Sequence, residues 1–198
     1  GFIFDDVKSF KQIPFDDAIS LIKPLLEDSS ILKIGHNIKY DSLVMKQEHN
    51  GNINLNPVGD TMCISYVVDP GRVDSHKLDA LALRELNHDT IKYDDICGKG
   101  KNKISFNQLS PLDALNYAAE DADISLRLWH LFKPRLGKEG VTSVYERLER
   151  PLIPVLAGKE ANGIIVDRTI LARMSNDFAA RMVSFQSEIF QMAGEEFN

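Results

Sequence analysis

A long helix with clear signals at both ends limits how this chain can fold. Ser110 is the predicted N-cap and Pro111 suits the first helical position, while the helix is expected to end near Phe132, before Pro134. Apolar residues at helical spacing predict a core-facing stripe on this helix, made of Leu115, Ala118, Ala122, Leu126 and Trp129. Such a stripe needs a second layer of structure to cover it.

A short apolar segment upstream supplies a candidate for that layer. Residues 31–35, ILKIG, predict a buried strand that ends at glycine. Helical patterns fill much of the remaining chain. They predict helices over 16–28, after Asp41, after the cap residue Asp60, over 76–87, over 145–163 and from Asp167 to about Met192. Pro24 is expected to bend or split the first of these, and Pro151 and Pro154 to interrupt the helix in 145–163. Strands and helices in the first ~140 residues predict an α/β domain, followed by a purely helical segment.

Charge and cysteine content narrow the function classes. The 198 residues carry a net charge of −6, which excludes a protein that holds nucleic acid by bulk positive charge. An enzyme that holds DNA locally, around metal-bound carboxylates, remains compatible with that charge. Cys63 and Cys97 form no C-x-x-C, so the sequence supports neither a disulfide framework nor a cysteine zinc site, and two lone thiols suit a reducing cytosol.

The long helix carries the first candidate site. Tyr117 and Asp121 lie four residues apart and therefore share a helix face. Glu120, Asp121 and Asp123 place three acids within four residues, an arrangement that a divalent cation would stabilise. The alternative is a solvated acidic helix face with no bound metal.

The second candidate is Asp41, which follows the predicted strand and begins the next helix. Ligands of α/β proteins collect at strand ends. Asn37, Lys39 and Tyr40 add an amide, a cation and an aromatic ring, which suit a phosphate backbone and a stacked base. The alternative is an aspartate that only stabilises the first turn of its helix through the helix dipole.

Taken together, these segments resemble the 3′–5′ proofreading exonuclease domain of family A bacterial DNA polymerases, of the DEDDy type. Five stretches carry the resemblance: 37–41 as the second exonuclease motif, 117–123 as the third, 98–108 as the loop between them, 148–163 as the beginning of the polymerase domain, and 193–198 as a point early in that domain. The resemblance implies an RNase H-like exonuclease fold with a mixed central sheet over 1–145, and the helical start of the polymerase domain over 146–198.

One part of the family pattern is missing from the printed sequence. The first motif, D-x-E, supplies two of the four metal-binding carboxylates, and the 198 residues contain no D-x-E. We therefore expect a fragment that lacks the first strands of the sheet, binds metal poorly and turns over very slowly by itself, because the members of such a site act as a unit.

The resemblance also implies the chemistry and the partners. Two divalent ions, Mg²⁺ or Mn²⁺, would flank the scissile phosphate, with Asp121 and Asp41 as ligands and Tyr117 orienting the attacking water. Contacts to the single-stranded 3′ end of DNA are expected from Asn37, Tyr40, Tyr93, His36 and Lys39. The other expected partner is the remainder of the polymerase chain, in the bacterial cytoplasm at the nucleoid and without a membrane.

Two other functions remain open. A ribonuclease D-like exonuclease acting on RNA would share the third motif but not the segment 148–163. A non-catalytic exonuclease-like scaffold would support the polymerase domain without chemistry, although its carboxylates are usually replaced, whereas Asp41 and Asp121 are present here.

Overall fold

The computed structural model describes residues 13–47, 50–100 and 103–197, which divide into two compact units between Ala161 and Asn162. The elements are, in chain order, α1 (Phe15–Glu27), β1 (Lys33–Gly35), α2 (Ile38–Met45), β2 (Val58–Asp60), α3 (Thr61–Val68), α4 (Leu78–Leu86), α5 (Tyr93–Cys97), a 3-10 turn (Phe106–Gln108), α6 (Pro111–Lys138), α7 (Thr142–Val144), a π-helical turn (Tyr145–Glu149), α8 (Arg150–Asn162) and α9 (Arg168–Ala193).

The sheet of the first unit is small and parallel. Lys33 of β1 pairs with Val58 of β2, and Gly35 pairs with Asp60, so both strands end at the same edge. The strand predicted in 31–35 is confirmed, whereas β2 has no counterpart among the predicted elements. Within the described residues the sheet has two strands, so the α/β class is observed and the mixed central sheet stays a prediction.

Helix α6 covers this sheet and packs against α3 and α4. The shared core is formed by fully buried side chains, among them Ile64, Leu81, Ile124, Leu128 and Phe132. Gly59 of β2 lies directly on the indole of Trp129, and a Cβ at that position would stand 2.6 Å from Trp129 Cζ3. The sheet and α6 therefore meet at a distance that only glycine allows.

The predicted core stripe of α6 is wrong except for Trp129. Leu115 and Leu126 are 58% and 46% exposed, and Ala118 and Ala122 are also exposed. The helix instead buries Ile124, Ser125, Leu128, Trp129, Phe132 and Leu136. Helix α6 has two apolar stripes. Packing against α3 buries the stripe that continues to the C-terminal end of α6.

The prolines interrupt fewer helices than predicted. Helix α6 passes through Pro134 to Lys138 instead of ending near Phe132, and α1 is one helix despite Pro24. A proline inside a helix costs about 3 kcal/mol. Beyond Pro134 this cost is offset because Leu136 is buried and Arg135 donates two hydrogen bonds to Asp69 at the end of α3, at 2.8 and 2.9 Å.

The segment that follows α6 belongs to the first unit. It contains a π-helical turn and then α8, which runs through Pro154 without the predicted interruption and ends before Gly163. Ile153 of α8 packs with Ile38 and Val58. The division of the chain into an exonuclease domain over 1–145 and a polymerase start over 146–198 stays a prediction.

The second unit contains α9, which confirms the predicted final helix. Asp167 accepts hydrogen bonds from the backbone N–H groups of Thr169 and Ile170 at 2.9 and 3.0 Å, and the helix ends at Gly194 in a left-handed conformation. Across the described ranges of the chain, no helix combines the length and the apolar character that crossing a membrane requires.

Candidate functional site

The two predicted carboxylates line one cleft. Asp41 lies in the first turn of α2, which begins where β1 ends, and Asp121 projects from α6. Both line a cleft of about 410 Å³, whose wall also includes Gly35, His36 and Ser125. Two acidic side chains from separate elements thus share one concave surface at the end of the small sheet, where ligands of α/β proteins bind.

The charges in this cleft disfavour two free carboxylates. Burial raises the pKa of Asp121 above its ordinary value, and the neighbouring charges of Glu120 and Asp41 raise it further. Burial also raises the pKa of Asp41, with an additional contribution from Asp60. A divalent cation between Asp41 and Asp121 would relieve this repulsion, since carboxylate oxygens are the ligands that Mg²⁺ and Mn²⁺ prefer.

The acidic neighbours of Asp121 have other partners. Glu120 accepts a hydrogen bond from the backbone N–H of Ile91 at 2.7 Å, and its other oxygen lies 2.7 Å from His88 Nε2. Asp123 pairs with Arg127 one turn later, at 3.4 Å. The predicted cluster of three acids therefore contributes one carboxylate, that of Asp121, to the cleft. In the described part of the chain, no three His, Cys, Asp or Glu residues form a metal-binding group.

Tyr117 stands one turn before Asp121 and lines a second cleft with it. This cleft has a volume of about 250 Å³ and is also lined by Tyr93 and Lys92. The rings of Tyr93 and Tyr117 meet edge to face with centroids 6.4 Å apart. Burial raises the pKa of the Tyr117 hydroxyl, and so does the charge of Asp121, so this phenol stays protonated at neutral pH.

Phe106 also belongs to this aromatic group, although it was not among the predicted site residues. Its ring centroid lies 5.7 Å from that of Tyr117 and 6.3 Å from that of Tyr93. Lys103 lies over the Tyr93 ring, 4.9 Å from its centroid. No local pattern relates residues 93, 106 and 117, because their contact depends on how the loop after α5 returns to α6.

The remaining predicted DNA contacts differ in accessibility. Tyr40 is 65% exposed. Asn37 and Lys39 line a separate pocket of about 130 Å³ against α8, and Lys39 forms an ion pair with Glu160. These two residues therefore face α8 and do not line the cleft that holds Asp41 and Asp121.

His36 lines the main cleft, but both of its ring nitrogens have partners. Nε2–H donates to the carbonyl of His76 at 3.0 Å, and Nδ1 lies 2.9 Å from the hydroxyl oxygen of Thr61. Burial lowers the pKa of His36. In this arrangement His36 is part of the wall of the cleft, with its polar atoms already occupied.

A family comparison agrees with this geometry. A family model described as 3′–5′ exonuclease matches residues 1–137. The chain belongs to this exonuclease family. The match confirms the resemblance found in the sequence, and it covers both elements that carry the paired carboxylates.

Curated relatives of this exonuclease-family chain are bacterial polymerases. DNA polymerase I of Rhizobium leguminosarum is 49% identical over 187 residues, which are 94% of this chain and 18% of that protein. DNA polymerase I of Pseudomonas aeruginosa is 39% identical over 189 residues, 95% of this chain and 21% of that protein. The exonuclease-family chain thus spans about a fifth of the length of these relatives.

Two solved structures are similar to it as well. The POL domain of Pol1 from M. smegmatis, in complex with a DNA primer-template and dNTP, has a TM-score of 0.62 and 24% identity, covering 95% of this chain and 29% of that one. Brucella melitensis NrnC bound to pGG has a TM-score of 0.57 and 26% identity, covering 71% of this chain and 63% of that one. The family match and these neighbours imply an RNase H-like α/β fold for the exonuclease region.

Proposed function

We propose that this chain carries the 3′–5′ proofreading exonuclease site of a bacterial family A DNA polymerase. The reaction is hydrolysis of the 3′-terminal phosphodiester of single-stranded or frayed DNA. The observation that carries the proposal is the shared cleft of Asp41 and Asp121 in a chain of the 3′–5′ exonuclease family. The mixed central sheet, the polymerase start at residue 146 and a place at the bacterial nucleoid belong to the same proposal.

Asp41 and Asp121 are the residues that would hold divalent ions in this site. Mg²⁺ or Mn²⁺ bound there would activate the attacking water and stabilise the leaving 3′ oxygen. The raised pKa values of both carboxylates support this assignment, because the cleft favours a cation between them. The family's D-x-E carboxylates would complete such a site.

Tyr117 and the aromatic residues around it would orient the attacking water and bind the DNA substrate. The protonated Tyr117 hydroxyl can donate a hydrogen bond that orients the attacking water. Tyr93, at 39% exposure, and the open ring of Tyr40 offer faces on which unpaired bases can stack. A mispaired end reaches such a site at lower cost than a paired one, since fewer stacking and pairing interactions are lost.

The test uses the polymerase that carries this chain, single-stranded DNA labelled at its 5′ end, and Mg²⁺. We expect stepwise shortening from the 3′ end, and a loss of at least about 100-fold in rate for Asp41→Ala or Asp121→Ala. Asp113→Ala, an acid in the first turn of the same α6 helix, is the matched control and should retain the rate. Equal rates in all variants would refute the site.

The preferred substrate distinguishes the proposed function from the two alternative functions. A short RNA of the same sequence tests the ribonuclease D-like function. Preference for RNA over DNA would favour that function. No shortening of either substrate by the polymerase would favour the non-catalytic scaffold.

A further inference from the structure

Asp60, the last residue of β2, is a buried carboxylate with no role in the proposed chemistry. It is 1% exposed and adjoins Gly35 of β1 in the parallel pair. Its own backbone N–H donates to the hydroxyl oxygen of the fully buried Tyr145 at 3.1 Å. A charged group in such a place is stable only when its oxygens receive hydrogen bonds.

The Asp60 carboxylate receives those hydrogen bonds from two helices at once. Oδ1 accepts from the backbone N–H groups of Met62 and Cys63 at 2.8 and 3.3 Å, which caps α3 in the ordinary way. Oδ1 also accepts from Asn37 N–H at 3.1 Å, and Oδ2 accepts from Ile38 N–H at 2.9 Å. The second pair of bonds caps α2, a helix that begins 22 positions earlier in the chain.

Helix α2 has no cap of its own. Asn37 occupies its N-cap position in a left-handed conformation, with φ of 58°, and its side chain makes no capping hydrogen bond. The free N–H groups at a helix start need an acceptor. Here the acceptor comes from Asp60, so a residue of β2 fixes the position at which α2 leaves the sheet.

Asp41 stands one turn after this anchored start. Its distance from Asp121 depends on two attachments to β2: α2 is held by the Asp60 carboxylate, and α6 is held through the contact of Trp129 with Gly59. Adjacent residues of one strand therefore set the two halves of the cleft. Metal-binding carboxylates need such support, because a small displacement of one ligand lowers metal affinity.

We propose that Asp60 is a positioning residue for the 3′–5′ exonuclease reaction, and that its carboxylate fixes Asp41 in place opposite Asp121. The inference rests on the proposed function. It assigns Asp60 a role beyond capping α3, namely control of the metal dependence of the site.

Asp60→Asn separates the two roles. An amide has one acceptor oxygen, and that oxygen is best placed at Oδ1, where three N–H groups converge. The amide NH₂ then faces the N–H of Ile38, and two donors meet. The cap of α3 and the hydrogen bond from Asn37 N–H survive, while the hydrogen bond from Ile38 N–H, one of the two that anchor α2, is lost. Asp60→Ser is a second variant with the same purpose, since a serine hydroxyl can cap α3 but is too short to reach α2.

Both variants are to be made in the polymerase that carries this chain, beside Asp121→Ala. The melting temperature reports folding, and polymerase activity reports the integrity of the rest of the protein. Exonuclease kcat, KM for single-stranded DNA and the Mg²⁺ concentration giving half the maximal rate report the site. Asp167→Asn is the matched control, because Asp167 also accepts two backbone N–H bonds as a helix cap, but at the start of α9 in the second unit.

We expect Asp60→Asn and Asp60→Ser to lower exonuclease kcat by about 10- to 100-fold and to raise the Mg²⁺ requirement several-fold. KM for DNA and polymerase activity should stay near wild type, as should every parameter of Asp167→Asn. A purely structural cap would lower the melting temperature and leave the Mg²⁺ dependence unchanged.

The outcomes distinguish this inference from the function on which it rests. If Asp121→Ala loses exonuclease activity while a folded Asp60 variant keeps both kcat and Mg²⁺ dependence, only the positioning role is wrong. If Asp121→Ala keeps full activity, the proposed function is wrong and the positioning role is wrong with it. A lower kcat with unchanged Mg²⁺ dependence in both Asp60 variants would also overturn the inference.

Discussion

The contact between Gly59 and Trp129 leads to a sharp prediction about stability. Gly59→Ala places a methyl group 2.6 Å from Trp129 Cζ3 and 2.7 Å from Cη2. Ordinary contact begins at 3.4 Å, so the methyl group would be 0.8 Å too close to the ring. The backbone at Gly59 has no positive φ, so the substitution should act through this overlap alone.

The size of the effect follows from core packing. Overpacking a well-packed core costs about 1–3 kcal/mol. For a domain of this size, each kcal/mol lowers the melting temperature by about 2–4 °C, so we expect a decrease of about 2–12 °C. Gly137→Ala is the matched control: it lies in α6, a Cβ there meets nothing within 4 Å, and alanine should stabilise the helix by about 0.5–1 kcal/mol.

Urea unfolding of the purified chain measures both variants. Trp129 is the single tryptophan, so its fluorescence reports on the unit that contains Gly59. Trp129→Phe removes the ring that the new methyl group would strike, so the double variant with Gly59→Ala should be more stable than the sum of the two single effects, as measured by circular dichroism. Equal shifts for Gly59→Ala and Gly137→Ala would refute the close contact.

Three further predictions concern ionisable groups. The Arg135 guanidinium holds the pKa of Asp69 below its ordinary value, so Arg135→Met should lower the free energy of unfolding by about 1.5–3 kcal/mol at pH 7. That difference should begin to decrease as the pH falls below about 4 and should vanish only below the lowered pKa of folded Asp69; a constant difference from pH 7 to pH 2 would contradict it. Burial and neighbouring acids raise the pKa of Asp121, so the folded chain favours the protonated carboxyl group. The stability that this group contributes at low pH is therefore lost as the pH rises and the carboxyl group ionises. Asp121→Asn should therefore raise the melting temperature in EDTA at pH 7 but not at pH 3; a decrease at pH 7 would count against this. Burial raises the pKa of Cys63 from 9.0 to about 12, so its alkylation at pH 8 should be about a thousandfold slower in the native than in the unfolded chain, and similar rates would contradict it.

Several elements could be predicted from the sequence because their signals are local. Ser110, Asp60 and Asp167 cap the helices that they were expected to cap, since each precedes a helical pattern within three residues. The pairing of Asp41 with Asp121 required the family resemblance, because spacing alone left a solvated acidic face as the alternative. The structure brings both residues to one cleft.

Other features depend on contacts between distant segments. Strand β2 has only three residues, and its pairing with β1 gives it a strand conformation that Val58-Gly59-Asp60 would not indicate. The continuation of α6 beyond Pro134 depends on the Arg135–Asp69 pair, which joins positions 66 apart. The second cap supplied by Asp60 likewise becomes visible only when β2 lies beside the start of α2.

The decisive rate measurement uses the polymerase that we propose carries this chain, with 5′-labelled single-stranded DNA and Mg²⁺. The variants are Glu120→Ala, Asp121→Ala and Asp123→Ala. Glu120 is bonded to His88 and Ile91, and Asp123 is paired with Arg127, so only Asp121 faces the cleft with Asp41. We expect Asp121→Ala to lose at least about 100-fold in the rate of 3′-end shortening, and the other two variants to lose far less. A wild-type rate for Asp121→Ala, or an equal loss for Asp123→Ala, would contradict the site proposed for this chain.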